Sequence, residues 1–293
     1  MDSISISSSP PKRALLLGKG ITRSISPQIQ NLAFRKAGMN VEFGLLDLNG
    51  TEFNSMMRKI SRSDDIIGLN ITVPFKERVI KHLSSIDTRS KIIGAVNTVK
   101  ISKPGVLRGF NTDYDGIRVT LEELRTLSGS GKKEGVILGA GGAARACVYT
   151  LAKNGFSSIL VLNRTMKRAN DLADHFRLHF PRTTLDTARL TTKNLVEAVK
   201  GCDLLVNAIS SSTKDHFPVE IDLTRARAGM KVFDLGYKEP SLFLKTALNQ
   251  GIPAADGVLM LVEQAASSFE IWTGRTAPRK EMIAAANKAL ETK

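Results

Sequence analysis

The sequence predicts an α/β protein with two domains: an N-terminal, mostly parallel α/β domain and a Rossmann-type, doubly wound domain. Two observations lead to this prediction. Short β-rich runs alternate with amphipathic stretches, which is typical of βαβ units with parallel strands. A glycine-rich turn follows an apolar strand near the middle of the chain and opens a helix, as in dinucleotide-binding domains. The 293 residues are enough for two domains of ordinary size.

The first domain is predicted to begin at Arg13, after a flexible, serine-rich tail (1–12) with almost no apolar periodicity. Helical patterns separate its first strands, and Pro104-Gly105 separates two later strands as in a hairpin. The predicted strands are 14–17, 41–48, 66–71, 95–101 and 106–110, with helices at 28–37 and 52–60.

The second domain is predicted to follow a helix at 114–127 and a small polar run at 128–134. Its predicted strands are 135–138, 158–162, 203–208 and 231–235, and its helices begin near Gly142, Thr165 and Lys193. Two further helices, at 257–272 and from about 278 onward, complete the chain. Their periodicity alone does not identify what they pack against.

Composition narrows the classes of function. Hydrophobic residues make up 42% and charged residues 24%, which is typical of soluble globular proteins and not of disordered or membrane proteins. The sequence has no apolar run of transmembrane length and no apolar signal segment, so we expect a cytoplasmic protein. Cys147 and Cys202 lie far apart without metal-ligand spacing, which favours reduced core thiols and no metal site.

The net charge of +14 would suit a nucleic acid, a membrane surface or an anionic small molecule. Basic residues stand in short groups along the whole chain, without an arginine-rich arm or a patch interleaved with aromatic residues. This distribution argues against a nucleic-acid partner.

The turn Gly139-Ala-Gly-Gly-Ala-Ala-Arg145 has the spacing of a dinucleotide fingerprint. Gly139 permits the tight turn, Gly141 lets backbone amides approach a pyrophosphate, and Ala144 allows the helix to pack closely on the strand. The N-terminus of the helix adds an anion site.

The next predicted strand ends at Asn163 and Arg164, where NAD enzymes usually carry an acid for the ribose 2′-hydroxyl. No acid stands there. Asn163, Arg164 and Arg168 instead offer neutral and cationic donors that suit a 2′-phosphate, so the sequence predicts NADP over NAD. The alternative is that these basic residues form a solvated helix start, which the helix macrodipole mildly disfavours.

Four short polar segments of the first domain lie where strands are expected to end. In the first, Ser24 and Ser26 stand two residues apart on an extended segment and so point the same way. Ser26 could also be a helix N-cap with Pro27 after it. In the second segment, Asn70 and Thr72 share one face of a strand.

Lys76 follows this strand after a proline turn and stands at a predicted helix start. A lysine there is unfavourable for the macrodipole, so it needs a carboxylate neighbour or a functional reason. The third segment is Gly94-Ala-Val-Asn97-Thr98, and the fourth carries Asp113. Alone, Asp113 could be an N-cap carboxylate.

Together these motifs resemble those of the shikimate dehydrogenase family. Its Ser-x-Ser-Pro, Asn-x-Thr-x-Pro-x-Lys, Gly-Ala-Val-Asn-Thr, Asn-Thr-Asp, Gly-Ala-Gly-Gly-Ala and Asn-Arg-Thr motifs stand here in the same order, and 256–272 resembles its closing helix. The resemblance covers 13–293. It implies the NADP-dependent, reversible reduction of 3-dehydroshikimate to shikimate, a step toward the aromatic amino acids. It also implies that the closing helix packs on the first domain.

The resemblance implies roles for individual residues. Lys76 and Asp113 match the family's catalytic pair. The expected substrate-binding residues are Ser24, Ser26, Asn70, Thr72, Asn97, Tyr237 and Gln264. The expected cofactor-binding residues are Gly139, Ala140, Gly141, Gly142, Ala143, Asn163, Arg164, Thr165, Arg168, Ala208, Leu235 and Gly257. The substrate domain would comprise 13–112 with 258–293, and the NADP domain 113–257.

Three places depart from the family pattern. Arg23 replaces the usual His, Asn207-Ala-Ile209-Ser210 lacks a threonine hydroxyl, and Lys238-Glu-Pro240 follows Tyr237. The exact nicotinamide and substrate contacts therefore stay open. The alternatives are a quinate or quinate/shikimate dehydrogenase that uses NAD, and a non-catalytic dinucleotide-binding paralogue. We expect a small-molecule substrate, no nucleic-acid or membrane partner, and a monomer or homodimer.

Overall fold

A computed structural model describes residues 10–127, 131–209 and 219–292. Within these ranges the chain forms two α/β units, each around a six-stranded sheet, as predicted. Most of the predicted flexible tail, residues 128–130 of the predicted polar run and Ser210 lie outside the described residues.

The first unit has the predicted mostly parallel sheet with an antiparallel hairpin. Its spatial order is β2-β1-β3-β5-β6-β4. Strand β1 pairs in parallel with β2 and β3, whereas β5 pairs antiparallel with β3 and β6. The elements are β1 (Lys12–Gly18), α1 (Ser26–Lys36), β2 (Val41–Asp47), α2 (Phe53–Ser61), β3 (Ile66–Ile71), a 3₁₀ helix (Arg78–His82), β4 (Ser85–Ile86), α3 (Thr88–Ile93), β5 (Thr98–Lys103) and β6 (Val106–Phe110).

The second unit is a doubly wound parallel sheet with the spatial order β12-β11-β10-β7-β8-β9. The direction of strand succession reverses between β7 and β10, and such a switch point binds ligands at the carboxyl ends of the strands. The elements are α4 (Asp113–Glu123), β7 (Lys133–Leu138), α5 (Gly142–Lys153), β8 (Phe156–Asn163), α6 (Met166–Arg177), β9 (Thr184–Arg189), α7 (Thr192–Ala198), β10 (Leu204–Asn207), β11 (Lys231–Asp234), α8 (Leu242–Asn249) and β12 (Ala254–Ala255).

The last two helices, α9 (Val258–Thr273) and α10 (Arg279–Glu291), return to the first unit. Nε2 of Gln30 on α1 donates to the backbone oxygen of Ala265 at 2.9 Å. The Trp272 ring stacks on Phe34 with 6.4 Å between centroids, and its Nε1 donates to the backbone oxygen of Val99 at 3.0 Å. The expectation that the closing helix packs on the first domain is therefore confirmed.

The two cysteines are buried core thiols, as predicted. Cys147 lies on α5 and Cys202 lies just before β10, and both are free. Burial raises the pKa of Cys202 to about 12 and raises that of Cys147 as well. Among the described residues, no helix is long and apolar enough to cross a membrane. The same residues contain no group of side chains that could hold a metal ion.

The contact of α9 with the first sheet yields a stability prediction. A Cβ atom on Gly68 of β3 would overlap the Trp272 indole, so Gly68→Ala must displace a buried aromatic ring. We expect the free energy of unfolding to fall by about 1–3 kcal/mol, as for other overpacked cores. Gly44→Ala on β2 is the control, because its Cβ would lie 3.4 Å from Leu15. Thermal or urea unfolding measures the stability of both variants, and an equal loss of stability in the two would contradict the prediction.

Candidate active site

A buried lysine–carboxylate pair lies at the centre of the site. Lys76 occupies the turn between β3 and the 3₁₀ helix, and Asp113 is the first residue of α4. Nζ of Lys76 donates to Oδ2 of Asp113 at 2.6 Å, and the two side chains are only 12% and 4% exposed. Lys76 therefore has the carboxylate neighbour that a lysine at a helix start needs. The alternative of Asp113 as an N-cap is wrong, because Thr112 is the N-cap residue and the Asp113 carboxylate bonds Lys76 instead.

Asn97 bonds the other oxygen of the carboxylate. Its Oδ1 accepts the backbone N–H of Thr112 at 2.7 Å, and since a backbone N–H only donates, the amide nitrogen must face the opposite way. Nδ2 donates to Oδ1 of Asp113 at 2.9 Å and to Oε1 of Gln264 at 3.3 Å. Gln264 lies on α9, so a helix from the end of the chain completes this side of the site.

Asn70, near the carboxyl end of β3, joins the same network. Its Nδ2 donates to Oγ of Ser268 at 2.9 Å and to Oγ1 of Thr98 at 3.1 Å. Neither of these hydroxyl residues was predicted as a site residue from the sequence. The spacing of four residues between Gln264 and Ser268 is the signal that places both on one face of the closing helix.

Ser24 and Ser26, at the start of α1, form a second group. Their hydroxyl oxygens lie 3.1 Å apart, and both residues are buried. The alternative of Ser26 as N-cap is wrong by one residue, because the cap is Ile25 and the Ser26 N–H donates to Oγ of Ser24 at 3.2 Å. Tyr237, from the second unit, lies beside Ser24. Burial raises the pKa of Tyr237, and the Ser24 hydroxyl opposes the rise. Predicted substrate residues from both units thus meet here.

A buried carboxylate holds the segment that carries Tyr237. Asp234, the last residue of β11, accepts the Gly236 N–H at 3.0 Å, the amide of Asn207 at 3.0 Å and the Ser241 hydroxyl. Burial raises the pKa of Asp234. The role of Asp234 was not predicted from the sequence, because it depends on the pairing of β11 with β10.

Thr72 stands just beyond β3, at the same sheet edge as Asn70. Its backbone N–H donates to the Leu17 oxygen at 2.9 Å, which ties it to the end of β1. A Cβ atom on Gly18 would overlap the Thr72 methyl group, so the glycine leaves room for this side chain. The carboxyl end of β3, next to that of β1, therefore presents Asn70 and Thr72 together.

The glycine-rich turn has the shape of a pyrophosphate cradle. Gly139 has a φ of +106°, a conformation that favours glycine, and Ala144 is fully buried against the sheet. Apart from its two chain neighbours, no atom of the described residues lies within 4 Å of a Cβ built on Gly141. Gly141 caps α5 without a side-chain hydrogen bond, so the first N–H groups of this helix are available to an anion. Ala140 and Ala143 belong to the same turn and to the first turn of α5.

The turn and the lysine are in direct contact. A Cβ atom on Gly142 would lie 2.8 Å from Cβ and 3.1 Å from Cδ of Lys76. Glycine at this position therefore lets the N-terminus of α5 approach the lysine–carboxylate pair.

Three further predicted cofactor residues lie at the switch point. A Cβ on Gly139 would lie 3.2 Å from the backbone oxygen of Ala208, just past β10. Leu235 follows β11, and its N–H donates to the Asn207 oxygen at 3.0 Å. A Cβ on Gly257 would overlap the Leu235 oxygen. The structure thus brings Ala208, Leu235 and Gly257 to the same edge as the glycine-rich turn.

The predicted 2′-phosphate residues lie between β8 and α6. Nδ2 of Asn163 donates to the backbone oxygen of Thr165, the N-cap of α6, at 2.9 Å. Arg164 and Arg168 are exposed, and the first turn of α6 contains no acid. Nη2 of Arg168 lies 3.9 Å from Oε1 of Glu77, the residue after Lys76.

Arg145 on α5 joins the two units and was not predicted. Its Nε donates to the backbone oxygen of Ile93 at 2.7 Å, and a Cβ on Gly94 would overlap its guanidinium. Burial lowers the pKa of Arg145, while the charge of Glu77 opposes the shift. The motif Gly94-Ala-Val-Asn97-Thr98 therefore starts with a glycine that makes room for an arginine of the second unit.

A doubly wound sheet with an open glycine-rich turn, set against a nearly buried lysine–carboxylate pair, defines the class of dinucleotide-dependent oxidoreductases. Family models match most of the chain. The shikimate dehydrogenase substrate binding domain matches residues 16–99, shikimate / quinate 5-dehydrogenase matches 123–235, and the shikimate 5′-dehydrogenase C-terminal domain matches 257–286.

Individual proteins agree with these models. Shikimate dehydrogenase (NADP(+)) of Methanopyrus kandleri is 34% identical over 270 residues, which are 91% of this chain and 92% of that protein. A shikimate dehydrogenase solved in complex with NADP+ has a TM-score of 0.83 and 30% identity, with 98% of both chains covered. The Thermus thermophilus enzyme solved with NADP(H) and shikimate has a TM-score of 0.79 and 30% identity, covering 95% of this chain and all of that one. The chain belongs to the shikimate dehydrogenase family.

Proposed function

We propose that the protein catalyses the NADP-dependent, reversible reduction of 3-dehydroshikimate to shikimate, a step toward the aromatic amino acids. The observation that carries this proposal is the contact between two motifs from different units. Lys76, bonded to Asp113 at 2.6 Å, lies against Gly142 of the glycine-rich turn. A proton donor and a dinucleotide turn in contact are what the reduction of a carbonyl group requires, because hydride and proton must reach adjacent atoms.

Lys76 acts as the general acid. It donates a proton to the C3 oxygen as negative charge develops there, and it takes the proton back when shikimate is oxidised. One carboxylate oxygen of Asp113 accepts a hydrogen bond from the Lys76 amine, and the other accepts one from the Asn97 amide. This fixed geometry keeps the donated proton near the reacting oxygen and excludes most solvent, since both side chains are nearly buried.

The remaining polar residues hold the substrate. Ser24, Ser26 and Tyr237 form the group of hydroxyls suited to the ring carboxylate, while Asn70, Asn97, Thr72 and Gln264 offer amides and a hydroxyl to the ring hydroxyls. Because the amide nitrogen of Asn70 is bonded within the protein, Asn70 presents its oxygen to a ligand.

The residues of the second unit fit an NADP cofactor. The open N-terminus of α5 suits its pyrophosphate, and exposed Arg164 and Arg168 suit its 2′-phosphate. Asn163, Thr165, Ala208, Leu235 and Gly257 would line the same edge. When bound, NADPH supplies the hydride.

We further propose that residues 13–112 with 258–293 bind the substrate and that residues 113–257 bind NADP. The return of α9 and α10 to the first sheet supports this division. The cytoplasmic location and the monomeric or homodimeric state stay predictions.

The proposed reaction is tested by absorbance at 340 nm, with shikimate and quinate each offered with NADP+ and NAD+. We expect activity with shikimate and NADP+. A preference for quinate and NAD+ would overturn both the substrate and the cofactor, and no activity in any combination would favour the non-catalytic paralogue.

Lys76→Ala should lower kcat by at least about 100-fold, the usual contribution of general acid–base catalysis, with little change in substrate affinity. Lys81→Ala is the control, since Lys81 is an exposed lysine of the following 3₁₀ helix. Thermal unfolding is measured alongside, because the variant leaves a buried carboxylate unpaired. A folded Lys76→Ala protein with the kcat of the wild type would remove the lysine from its role.

Arg164→Ala should raise the KM for NADPH by roughly 10-fold or more and leave the KM for NADH nearly unchanged, because only NADPH carries the phosphate. Arg182→Ala removes the same charge from an exposed position beyond the far end of α6. Initial rates with both cofactors give the comparison. Equal losses for NADPH and NADH would show that Arg164 does not bind the 2′-phosphate.

A further inference from the structure

Three buried hydroxyl groups meet behind the proposed active site: Thr98 on β5, Thr112 before α4 and Ser268 on α9, here called the hydroxyl cluster. Oγ of Ser268 lies 2.7 Å from Oγ1 of Thr98 and 3.1 Å from Oγ1 of Thr112. All three residues are at most 1% exposed. Buried polar groups must find partners inside the protein, and the partners of the Asn70 amide fix the direction of its hydrogen bond to this cluster.

Ser268 joins its own helix to Asn70. Its Oγ lies 2.9 Å from the backbone oxygen of Gln264, which can accept the serine proton. An amide nitrogen only donates, so toward Asn70 the Ser268 oxygen accepts. The amide nitrogen of Asn70 donates to it at 2.9 Å.

The orientation of the Asn70 amide follows from its partners. Its Nδ2 also donates to the backbone oxygen of Asn97 at 3.3 Å, and a carbonyl oxygen only accepts. Ser268 supplies the shortest of the hydrogen bonds to this nitrogen. With the nitrogen held inside the protein, Oδ1 is the part of the amide left for a ligand, and it accepts a hydrogen bond.

We propose that Ser268 is a positioning residue that acts through Asn70, holding its amide so that Oδ1 accepts a hydrogen bond from a ring hydroxyl of the substrate. This inference rests on the proposed function. Without the Ser268 hydroxyl, the Asn70 amide loses its shortest hydrogen bond within the protein and rotates more freely. Substrate binding weakens, whereas proton transfer by Lys76 does not depend on this contact.

The test compares Ser268→Ala with Ser267→Ala, which removes the neighbouring, partly exposed serine of the same helix. We expect Ser268→Ala to raise the KM for shikimate by roughly 10-fold, as for the loss of one hydrogen bond. The kcat and the KM for NADP+ should stay within about twofold. A KM for shikimate equal to that of Ser267→Ala would overturn the inference.

A double-variant cycle separates action through Asn70 from a general loss of structure. If Ser268 acts through Asn70, adding Ser268→Ala to Asn70→Ala should raise the KM for shikimate by less than about twofold further. If the increases in KM of the two single variants multiply in the double variant, the two residues act independently and the proposal is contradicted. If Ser268→Ala does not fold, Thr98→Val removes the other hydroxyl that bonds Asn70, and Thr98→Ser should restore the KM. A wild-type protein inactive with shikimate would instead overturn the proposed function.

Discussion

The burial of Lys76 against Asp113 is the constraint on which the site depends. Removing two opposite charges from water is costly, and only close contact with further hydrogen bonds offsets that cost. The close contact is the 2.6 Å between Nζ of Lys76 and Oδ2 of Asp113, and the further hydrogen bond is the one that the Asn97 amide donates to Oδ1 of Asp113. The Thr112 N–H then fixes which end of that amide faces Asp113. Each partner comes from a different element, so the pair exists only once β3, β5 and α4 have assembled.

The same pair couples the two units. Gly142 brings the N-terminus of α5 onto Lys76, and any larger residue there would push against the lysine Cβ. Three residues along α5, Arg145 reaches back to Ile93 in the first unit. The first turn of this helix therefore contacts both the lysine and the end of α3. The helix whose first N–H groups are open to an anion is thus also a helix that contacts the first unit.

The helices and strands that are determined by local sequence patterns were predicted from the sequence. The central strands, the helix after the glycine-rich turn and the hairpin all stand where periodicity and turn residues indicated them. The two-residue strands β4 and β12 were missed because so short a run has no periodicity, and the polar edge strand β9 was missed because it lacks apolar alternation. In the site, the motifs identified Lys76 and Asp113. Ser268 was not predicted, although its spacing from Gln264 puts both on one helix face, because its partners Asn70, Thr98 and Thr112 lie about 160 to 200 residues away in sequence.

Tyr237 is a predicted substrate residue that links a loop of the second unit to the first unit. Its position beside Ser24 brings a loop of the second unit to the serines at the start of α1. That loop is shaped by Asp234, whose carboxylate gathers Gly236, Asn207 and Ser241 around it. Because Asn207 ends β10 at the switch point, a change in the position of β10 reaches Tyr237 through Asp234. Hydrogen bonds of the buried Asp234 carboxylate therefore connect the switch point to the loop that carries Tyr237, and we expect a substitution that loosens Asp234 to weaken the proposed binding of both substrate and cofactor.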